Sequence, residues 1–231
     1  MILLISKIKK TMLKITFLGW ANFIIEGKEK TICFDPFFET DKRADVILIS
    51  HSHPDHCSLE VIEKIKKENT IILANEETAK NIPGVEIIKI GEQKEIDGIK
   101  AEAVYAYNLN IPNHQKGKDL GFVVEMEGKR IYHAGDTDFI PEMKEIKNID
   151  LALLPVGGTY TMDVSQAVKA IKTIQPKIVI PMHYGKIEVE FQGEIHKIEL
   201  SANIDEFKKK VEEETNTKVV ILSKNEEYIL E

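Results

Sequence analysis

Residues 51–56 read HSHPDH and bring three of the chain's seven histidines together with one aspartate. A histidine that serves only packing normally stands alone, whereas imidazole and carboxylate groups in one short stretch are typical ligands of divalent metal ions. His51 and His53 alternate, so in an extended loop both side chains point the same way and can hold one ion. Asp55 and His56 are adjacent and must diverge, so they reach a second position. A structural zinc needs only four ligands, so the further candidates below indicate two ions.

The segments on either side of this cluster predict how it is positioned. Residues 45–49 form a short apolar run rich in β-branched side chains, which is typical of a buried strand. Ser58 can cap a helix that continues with apolar residues at helical spacing as far as Ile65. The cluster is therefore predicted to lie on a strand-to-helix loop, where open α/β sheets place their active sites.

Further candidate ligands lie at strand ends and loops in the second half of the chain. Gly135 and Asp136 follow an apolar strand; the glycine permits close backbone approach and the aspartate is placed to bridge cations. His183 repeats this layout in a loop bounded by glycine, and His114 lies in a polar loop. A lone loop histidine is more often solvated, but beside a preformed histidine cluster each of these residues becomes a candidate ligand.

Three other polar residues have more than one interpretation. Asp35 ends a strand, where a carboxylate can face solvent, cap a turn or orient a metal ligand from behind. His133 precedes Asp136 by three positions and is either a ligand or a residue that supports one. His196 has no companion signal and is interpreted as a surface residue.

A glycine-rich segment is a candidate for binding the substrate. Gly158 is followed by Thr159, Tyr160 and Thr161, and the backbone N–H groups and hydroxyls of such a loop can bind an anion. A plain glycine turn is an equal alternative. Lys116 is a further candidate for contacting an anionic substrate, although a lone lysine is usually solvated.

Length and composition narrow the function class. The 231 residues suffice for a buried core in one large domain or two small ones. The net charge of −7 argues against a basic nucleic-acid footprint, so no nucleic-acid partner is expected. Cys33 and Cys57 do not make a disulfide framework, and a cytoplasmic location is expected. No apolar run is long enough to cross a membrane, so no membrane partner is expected either.

Short strands and helices alternate along the chain, and two parts of it are alike. The β-loop-α-β units that begin at residues 45 and 150 suggest two halves, each placing a ligand loop at a shared edge. A closing hairpin is predicted from strands at 219–222 and 228–230. The other predicted strands are 13–18, 22–26, 31–34, 45–49, 71–73, 85–90, 99–105, 120–126, 129–132, 150–154 and 178–180, and the predicted helices are 59–65, 76–81, 164–174 and 204–213.

Taken together, these residues resemble the metallo-β-lactamase-fold superfamily of metal-dependent hydrolases. The HxHxDH pattern of residues 51–56 matches the signature of that superfamily, and the match extends to Asp35, His114, Asp136 and His183. The runs YHAGDTD (132–138), PVGGTYTMD (155–163) and PMHYG (181–185) are similar to a branch related to ascorbate-6-phosphate lactonase. The resemblance implies an α/β fold, a four-layer αββα sandwich, over a single domain of residues 12–231. Residues 1–11 are then a possible N-terminal extension.

The same resemblance implies a set of ligands at one edge of the two sheets. The first ion would be held by His51, His53 and His114, the second by Asp55, His56 and His183, with Asp136 bridging both and Asp35 orienting a ligand. One departure is Trp20, where relatives usually carry a histidine that is not normally a ligand. We therefore expect an intact metal site and an altered pocket floor. The stretch after Tyr184, through residue 198, also looks longer than in close relatives.

The implied cofactor is a pair of divalent metal ions. Zinc suits a histidine-rich set without thiolates, and manganese, nickel or iron also fit. Two cations about 3.5–4 Å apart can share a water and convert it to hydroxide at neutral pH. The hydroxide is expected to attack a small, anionic ester, lactone or phosphoester, with Asp55 as the acid/base and Asp136 as the bridging carboxylate. The expected partner is thus a small-molecule substrate.

Other functions stay open at this point. A phosphodiesterase or nuclease of the same fold predicts a basic RNA-binding arm, and none is visible in the sequence. A mononuclear iron oxidoreductase would keep much of the same motif. A non-catalytic metal-binding protein would be expected to lack ligands that are present here. The sequence does not fix the oligomeric state, and a homo-oligomer is one option.

Overall fold

The computed structural model describes residues 12–191 and 193–231. Residues 1–11, interpreted above as a possible N-terminal extension, lie outside the described residues. In chain order the elements are β1 (Leu13–Gly19), β2 (Asn22–Glu26), β3 (Thr31–Phe34), β4 (Ala44–Leu48), α1 (Leu59–Ile65), β5 (Lys66–Ala74), α2 (Glu76–Ala79), β6 (Val85–Ile87), β7 (Gln93–Ile96), β8 (Ile99–Ala106), β9 (Asp119–Met126), β10 (Lys129–His133), a 3₁₀ helix (Pro141–Glu145), β11 (Leu151–Pro155), α3 (Val164–Ile174), β12 (Ile178–Met182), β13 (Gly185–Phe191), β14 (Glu194–Leu200), α4 (Ile204–Glu214), β15 (Lys218–Val219) and β16 (Glu226–Leu230).

Within the described ranges, most strands belong to two seven-stranded sheets. The first has the order β16-β1-β2-β3-β4-β5-β6, antiparallel from β16 to β3 and parallel from β3 to β6. The second has the order β15-β12-β11-β10-β9-β8-β7, antiparallel from β7 to β10 and parallel from β10 to β15. Both β-loop-α-β units inferred from the sequence are parallel pairs, β4-α1-β5 in one sheet and β11-α3-β12 in the other.

Alternation along the strands explains why two sheets face each other. In β3, Ile32 and Phe34 belong to the core between the sheets, whereas Cys33 packs on the outer face with Ile62 and Ile65 of α1. Burying one such large apolar side chain contributes about 1.5–3 kcal/mol, so a one-residue register slip would be costly. On the other side, α3 and α4 pack on each other and against the second sheet. The resulting order of layers is the expected αββα sandwich.

The loop that carries the histidine cluster is fixed at both of its ends. β4 ends at Leu48, and Ser58 caps α1 by accepting a hydrogen bond from the Val61 N–H at 3.3 Å. The Ser58 N–H donates to the Pro36 carbonyl at 2.8 Å, which ties this helix start to the loop after β3. The strand-to-helix placement predicted from the sequence is confirmed.

The predicted C-terminal hairpin is wrong. β15 adds to the second sheet, parallel to β12, whereas β16 adds to the first sheet, antiparallel to β1. Each strand buries an apolar residue, Val219 and Leu230, in the core that the two sheets share. The segment between them, residues 220–225, therefore crosses from one sheet to the other, and its polar end at 223–225 has the composition of a hairpin turn. A separate hairpin, β13-β14, occupies most of the long stretch after Tyr184.

In the described part of the chain, none of the helices combines the length and apolar character needed to cross a membrane.

Replacing Asp150 with asparagine is expected to lower the free energy of unfolding by about 1 kcal/mol at pH 7. The carboxylate accepts hydrogen bonds from the Arg130 N–H at 2.9 Å and the Lys177 ammonium at 2.7 Å, and so ties together the starts of β10, β11 and β12. Burial raises the pKa of Asp150, but Lys177 and the Arg130 N–H outweigh burial and lower it below its ordinary value.

Because folding lowers the pKa of Asp150, the difference in stability between the unaltered protein and Asp150→Asn depends on pH. A carboxyl whose pKa is depressed by folding contributes stability above its unfolded pKa and loses it as pH falls through the folded pKa. In denaturant unfolding the two proteins should therefore differ in stability at neutral pH, and this difference should disappear as the pH falls through the lowered pKa of Asp150. Asp41→Asn, at an exposed position, is the matched control and should change stability little at any pH. A difference for Asp150→Asn that stays constant across the titration would contradict this assignment.

Candidate metal centre

The candidate site is assembled by loops at the carboxyl ends of strands in both sheets. Asp35 follows β3 and residues 51–56 follow β4 in the first sheet, whereas Asp136 follows β10 and His183 follows β12 in the second. Carboxyl ends of parallel strands share one edge of a sheet, so the parallel portion of each sheet delivers its loop to the same region. His114 comes from the longer loop between β8 and β9.

All seven residues considered as ligands come together in the folded chain. They form three overlapping groups in which one donor atom per residue lies within 4.8 Å of the others. The groups are His51, His53 and His114; His51, His56 and Asp136; and Asp55, His56 and His183. Because His51 and His56 recur, the groups form one continuous cluster. The first and third groups are the two sets that the resemblance assigns to separate ions.

Asp136 lies at the centre of this cluster. Its Oδ1 is 3.4 Å from His56 Nε2, and its Oδ2 is 3.0 Å from His183 Nε2 and 3.5 Å from His114 Nε2. The preceding Gly135 has a φ of 62°, and a Cβ there would lie 2.5 Å from the Leu120 carbonyl oxygen. The glycine is required at this position because no larger residue could approach β9 so closely. The single Asp136 carboxylate thus reaches histidines from both proposed sets.

A second layer of polar groups holds the histidines from behind. Asp35 Oδ2 accepts hydrogen bonds from His56 Nδ1 and from the Ser50 hydroxyl, each at 2.8 Å. Ser50 Oγ in turn lies 2.9 Å from His51 Nδ1, and because its hydrogen is directed to Asp35, it accepts from the imidazole. Asp119 Oδ2 lies 2.7 Å from His114 Nδ1. With Nδ1 occupied, these histidines present Nε2 to the cluster, as metal-binding histidines do.

Sequence reasoning missed Ser50 and Asp119. Ser50 immediately precedes the histidine cluster at the end of a strand, which was a usable signal. Asp119 opens β9 five residues after His114, and nothing in that spacing indicates a contact. Asp35 does lie where an orienting carboxylate would be placed, directly behind His56.

His133 stands behind the cluster, outside the three candidate ligand groups of the described residues. Its Nε2 donates to the Ala21 carbonyl at 2.9 Å, and its Nδ1 accepts from the Gly135 N–H at 3.2 Å. Burial lowers the pKa of His133 below its ordinary value, consistent with a neutral ring. The residue links the turn between β1 and β2 to the loop that carries Asp136.

The donor atoms of the cluster fit divalent-cation binding. Among the described residues, His56 Nε2 and Asp136 Oδ1 are buried and make no hydrogen bond. Buried polar atoms without partners cost about 1–3 kcal/mol each, and a cation between them removes that cost. The donors are nitrogen and oxygen atoms only, because Cys57 belongs to none of the candidate groups among described residues.

Burial and neighbouring charges set the protonation states within the cluster. Burial raises the pKa of Asp136, but His183 and His56 outweigh burial and hold it well below its ordinary value, so the carboxylate is charged. Burial lowers the pKa of His51, and neighbouring His56 adds to this effect. Burial opposes protonation of His56, yet the Asp136 and Asp55 carboxylates raise its pKa well above the usual range. A proton on His56 thus competes with a cation for the same carboxylates.

The loop after β11 lies against His183. A Cβ at Gly157 would lie 2.1 Å from the His183 carbonyl oxygen, so this close approach requires glycine. Thr159 and Tyr160 are exposed, while Thr161 is buried and its hydroxyl has no hydrogen-bond partner among the described residues. The loop therefore borders the cluster, and its binding of substrate stays a prediction.

A shallow cavity of about 300 Å³ opens beside the histidine loop. Its lining includes His51, His53, Asn113, Gln115 and Lys118. Lys116, the lysine singled out in the sequence, instead pairs with Glu142 at 2.5 Å, and its ammonium lies 5.0 Å from the ring centroid of Tyr107. Lys118 is thus the lysine that borders the cavity.

Comparisons with known proteins agree with the two-sheet fold described above. A family model described as a beta-lactamase superfamily domain matches residues 14–183. The UPF0173 metal-dependent hydrolase of Nanoarchaeum equitans is 37% identical over 231 residues, which cover 94% of this chain and 100% of that relative. A solved structure from Parabacteroides distasonis is 36% identical with a TM-score of 0.80, over 91% of this chain and 93% of that one. Igni18, a metallo hydrolase of the hyperthermophilic archaeon Ignicoccus hospitalis, is 29% identical with a TM-score of 0.77, over 96% of this chain and 99% of that one.

Proposed function

This chain belongs to the metallo-β-lactamase-fold superfamily of metal-dependent hydrolases, and from that premise we propose that it uses two divalent metal ions to hydrolyse a small, anionic ester, lactone or phosphoester. The observation that carries the proposal is the position of Asp136, whose two carboxylate oxygens contact histidines of both candidate ion positions. A site for a single ion would not need seven convergent ligands.

The ligands are proposed to divide as the geometry groups them. One ion would be held by His51, His53 and His114 and the other by Asp55, His56 and His183, and Asp136 would serve both. When bound, two such cations supply a water activated for attack near neutral pH and stabilise negative charge that develops on the substrate. Zinc suits nitrogen and oxygen donors without thiolates, and manganese, nickel and iron are the alternatives.

Asp55 and Asp136 are proposed to have different roles because their exposure differs. The Asp136 side chain is 3% exposed and lies among the histidines, whereas that of Asp55 is 15% exposed and so is in partial contact with solvent. Asp55 is therefore the carboxylate that can accept a proton from the attacking water and return it to the leaving-group oxygen. The buried histidines keep their orientation through Asp35, Ser50 and Asp119 while this happens.

The proposed substrate class follows from the cavity beside His51 and His53. A volume of about 300 Å³ suits a small molecule. The lining also contains Glu77 and Asp119, so among the described residues Lys118 is the one positive charge that the cavity offers to an anionic group. The net charge of the chain is −7, so a long polyanion such as RNA would meet overall repulsion.

The proposal is tested by metal content together with activity. Protein purified without added metal is assayed for metal per chain, and then for hydrolysis of a generic phosphodiester and a lactone. Two ions per chain with turnover would support the binuclear hydrolase and show which substrate class to pursue. A single iron without turnover would overturn it in favour of a mononuclear oxidoreductase.

Replacing Lys118 with glutamine is expected to raise KM for an anionic substrate about threefold to fivefold, with little change in kcat. The reason is that an exposed lysine at the cavity border contributes modest attraction that is equal in the ground and transition states. A neutral ester should show no such change. Lys116→Gln is the matched control, since Lys116 is held by Glu142. Equal effects of the two substitutions, or an effect on the neutral ester, would contradict the proposed role of Lys118.

A further inference from the structure

We propose that Trp20 is a positioning residue that sets the affinity of the ion position formed by Asp55, His56 and His183; this inference rests on the proposed two-metal function. Trp20 is buried, at 2% exposure, in the turn between β1 and β2. It contacts two of the three ligands directly, and these two ligands come from different sheets.

The contact with Asp55 is a hydrogen bond. The indole Nε1 donates to Asp55 Oδ2 at 2.9 Å. The same oxygen lies 3.6 Å from His56 Nε2 and 3.9 Å from His183 Nε2, so it is the oxygen that faces the ion position. The indole N–H thus fixes the orientation of the carboxylate that would coordinate the ion.

The contact between Trp20 and His183 takes the place of the hydrogen bond that holds Nδ1 of the other buried histidine ligands. His51, His56 and His114 each have Nδ1 held by Ser50, Asp35 or Asp119. His183 Nδ1 is buried and has no hydrogen-bond partner among the described residues. Its ring instead packs on the indole, with centroids 4.2 Å apart, and the backbone N–H of His183 donates to the Trp20 carbonyl at 2.8 Å. Trp20 is therefore the group that orients this histidine.

The turn itself is held in a fixed conformation. Trp20 has a φ of 56°, a left-handed conformation that costs a residue other than glycine of order 1 kcal/mol. The neighbouring Ala21 carbonyl accepts a hydrogen bond from His133 Nε2 at 2.9 Å. The turn is thus held by His133 through the Ala21 carbonyl and by the His183 backbone N–H through the Trp20 carbonyl, which keeps the indole beside Asp55. This rigidity is what a positioning residue needs.

Two substitutions separate positioning from simple filling of space. Trp20→Phe keeps an aromatic ring and removes the N–H donor, whereas Trp20→His keeps a ring N–H that can reach the carboxylate. Metal-depleted protein is titrated with zinc by calorimetry in the presence of a competing chelator. We expect Trp20→Phe to weaken the binding of one of two zinc ions by about tenfold and leave the other unchanged. Trp20→His should retain affinity within about threefold of the unaltered protein.

Thermal unfolding of the metal-free variants supplies the control for folding. If Trp20 only fills space, the zinc affinities of the folded variants will equal those of the unaltered protein, and the proposal is overturned. It is also overturned if Trp20→His weakens zinc binding as much as Trp20→Phe does, because the donor then has no role.

Intrinsic fluorescence gives a readout that does not depend on activity. Trp20 is the chain's one tryptophan, so its emission reports on this site alone. We expect the emission of the unaltered protein to change with one of two zinc equivalents and to stay constant with the other. Two bound ions without any change in emission would refute the role of Trp20 and leave the proposed function intact. Binding of fewer than two ions would instead refute the proposed function.

Discussion

Replacing Asp136 with asparagine is expected to lower kcat/KM by at least about 10³-fold, which corresponds to a loss of about 4 kcal/mol of transition-state stabilisation. The carboxylate lies 3.0 Å from His183 Nε2 and 3.4 Å from His56 Nε2, so it contributes charge to the centre of the ligand cluster. Asparagine keeps the shape but removes the negative charge and one of the two acceptor oxygens. Metal content per chain should therefore fall together with activity.

A nearby aspartate supplies the matched control for this experiment. Asp138 lies on the same loop and is also buried, but its Oδ2 accepts a hydrogen bond from the Leu109 N–H at 2.8 Å rather than facing the histidines. Asp138→Asn should keep normal metal content even where it costs some stability. Metal content is measured by elemental analysis, and folding by circular dichroism. An Asp136→Asn protein that is fully metallated and active would overturn the bridging role.

The sequence predicts the placement of the histidine loop because this placement depends on local spacing. The HxHxDH run follows an apolar strand and precedes a helix cap, and both flanking elements are found where that pattern puts them. The side chains of Asp136 and His183 could be nominated for the same reason, since each follows an apolar strand. Local rules apply here because neighbouring ligands come from one loop, whose geometry the flanking elements fix.

The parts that could not be predicted depend on contacts between distant segments. Asp119 matters only because the loop before β9 folds back on His114, and Trp20 only because its turn reaches Asp55, which lies 35 positions away. The C-terminal strands show the same limit. Their alternating pattern identifies them as strands, and their closeness in the sequence suggested a hairpin. In the structure each of the two strands instead pairs with the edge of a different sheet.

Asp35 is the other residue whose replacement should have a large effect, and the hydrogen bonds give the reason. Asp35 Oδ1 accepts from the Ser50 N–H at 2.7 Å, while Oδ2 accepts from both the Ser50 hydroxyl and His56 Nδ1. The Ser50 hydroxyl in turn accepts a hydrogen bond from His51 Nδ1. One carboxylate therefore orients a histidine of each proposed ion position, whereas Asp119 orients His114 alone among the candidate ligands of the described chain.

Asp35→Asn is accordingly expected to lower the affinity for both zinc ions by about 10–100-fold. The reason is that an amide has one acceptor oxygen, whereas three donors converge on the Asp35 carboxylate. Asp119→Asn should lower, by a similar factor, only the affinity for the ion at the position formed by His51, His53 and His114. Calorimetric zinc titration against a competing chelator resolves the two affinities, and unfolding of the metal-free proteins separates binding from stability. If Asp35→Asn changed the affinity of only one ion, Ser50 would not transmit its effect to His51. If Asp119→Asn weakened both ions, the division of ligands between the two positions would itself be wrong.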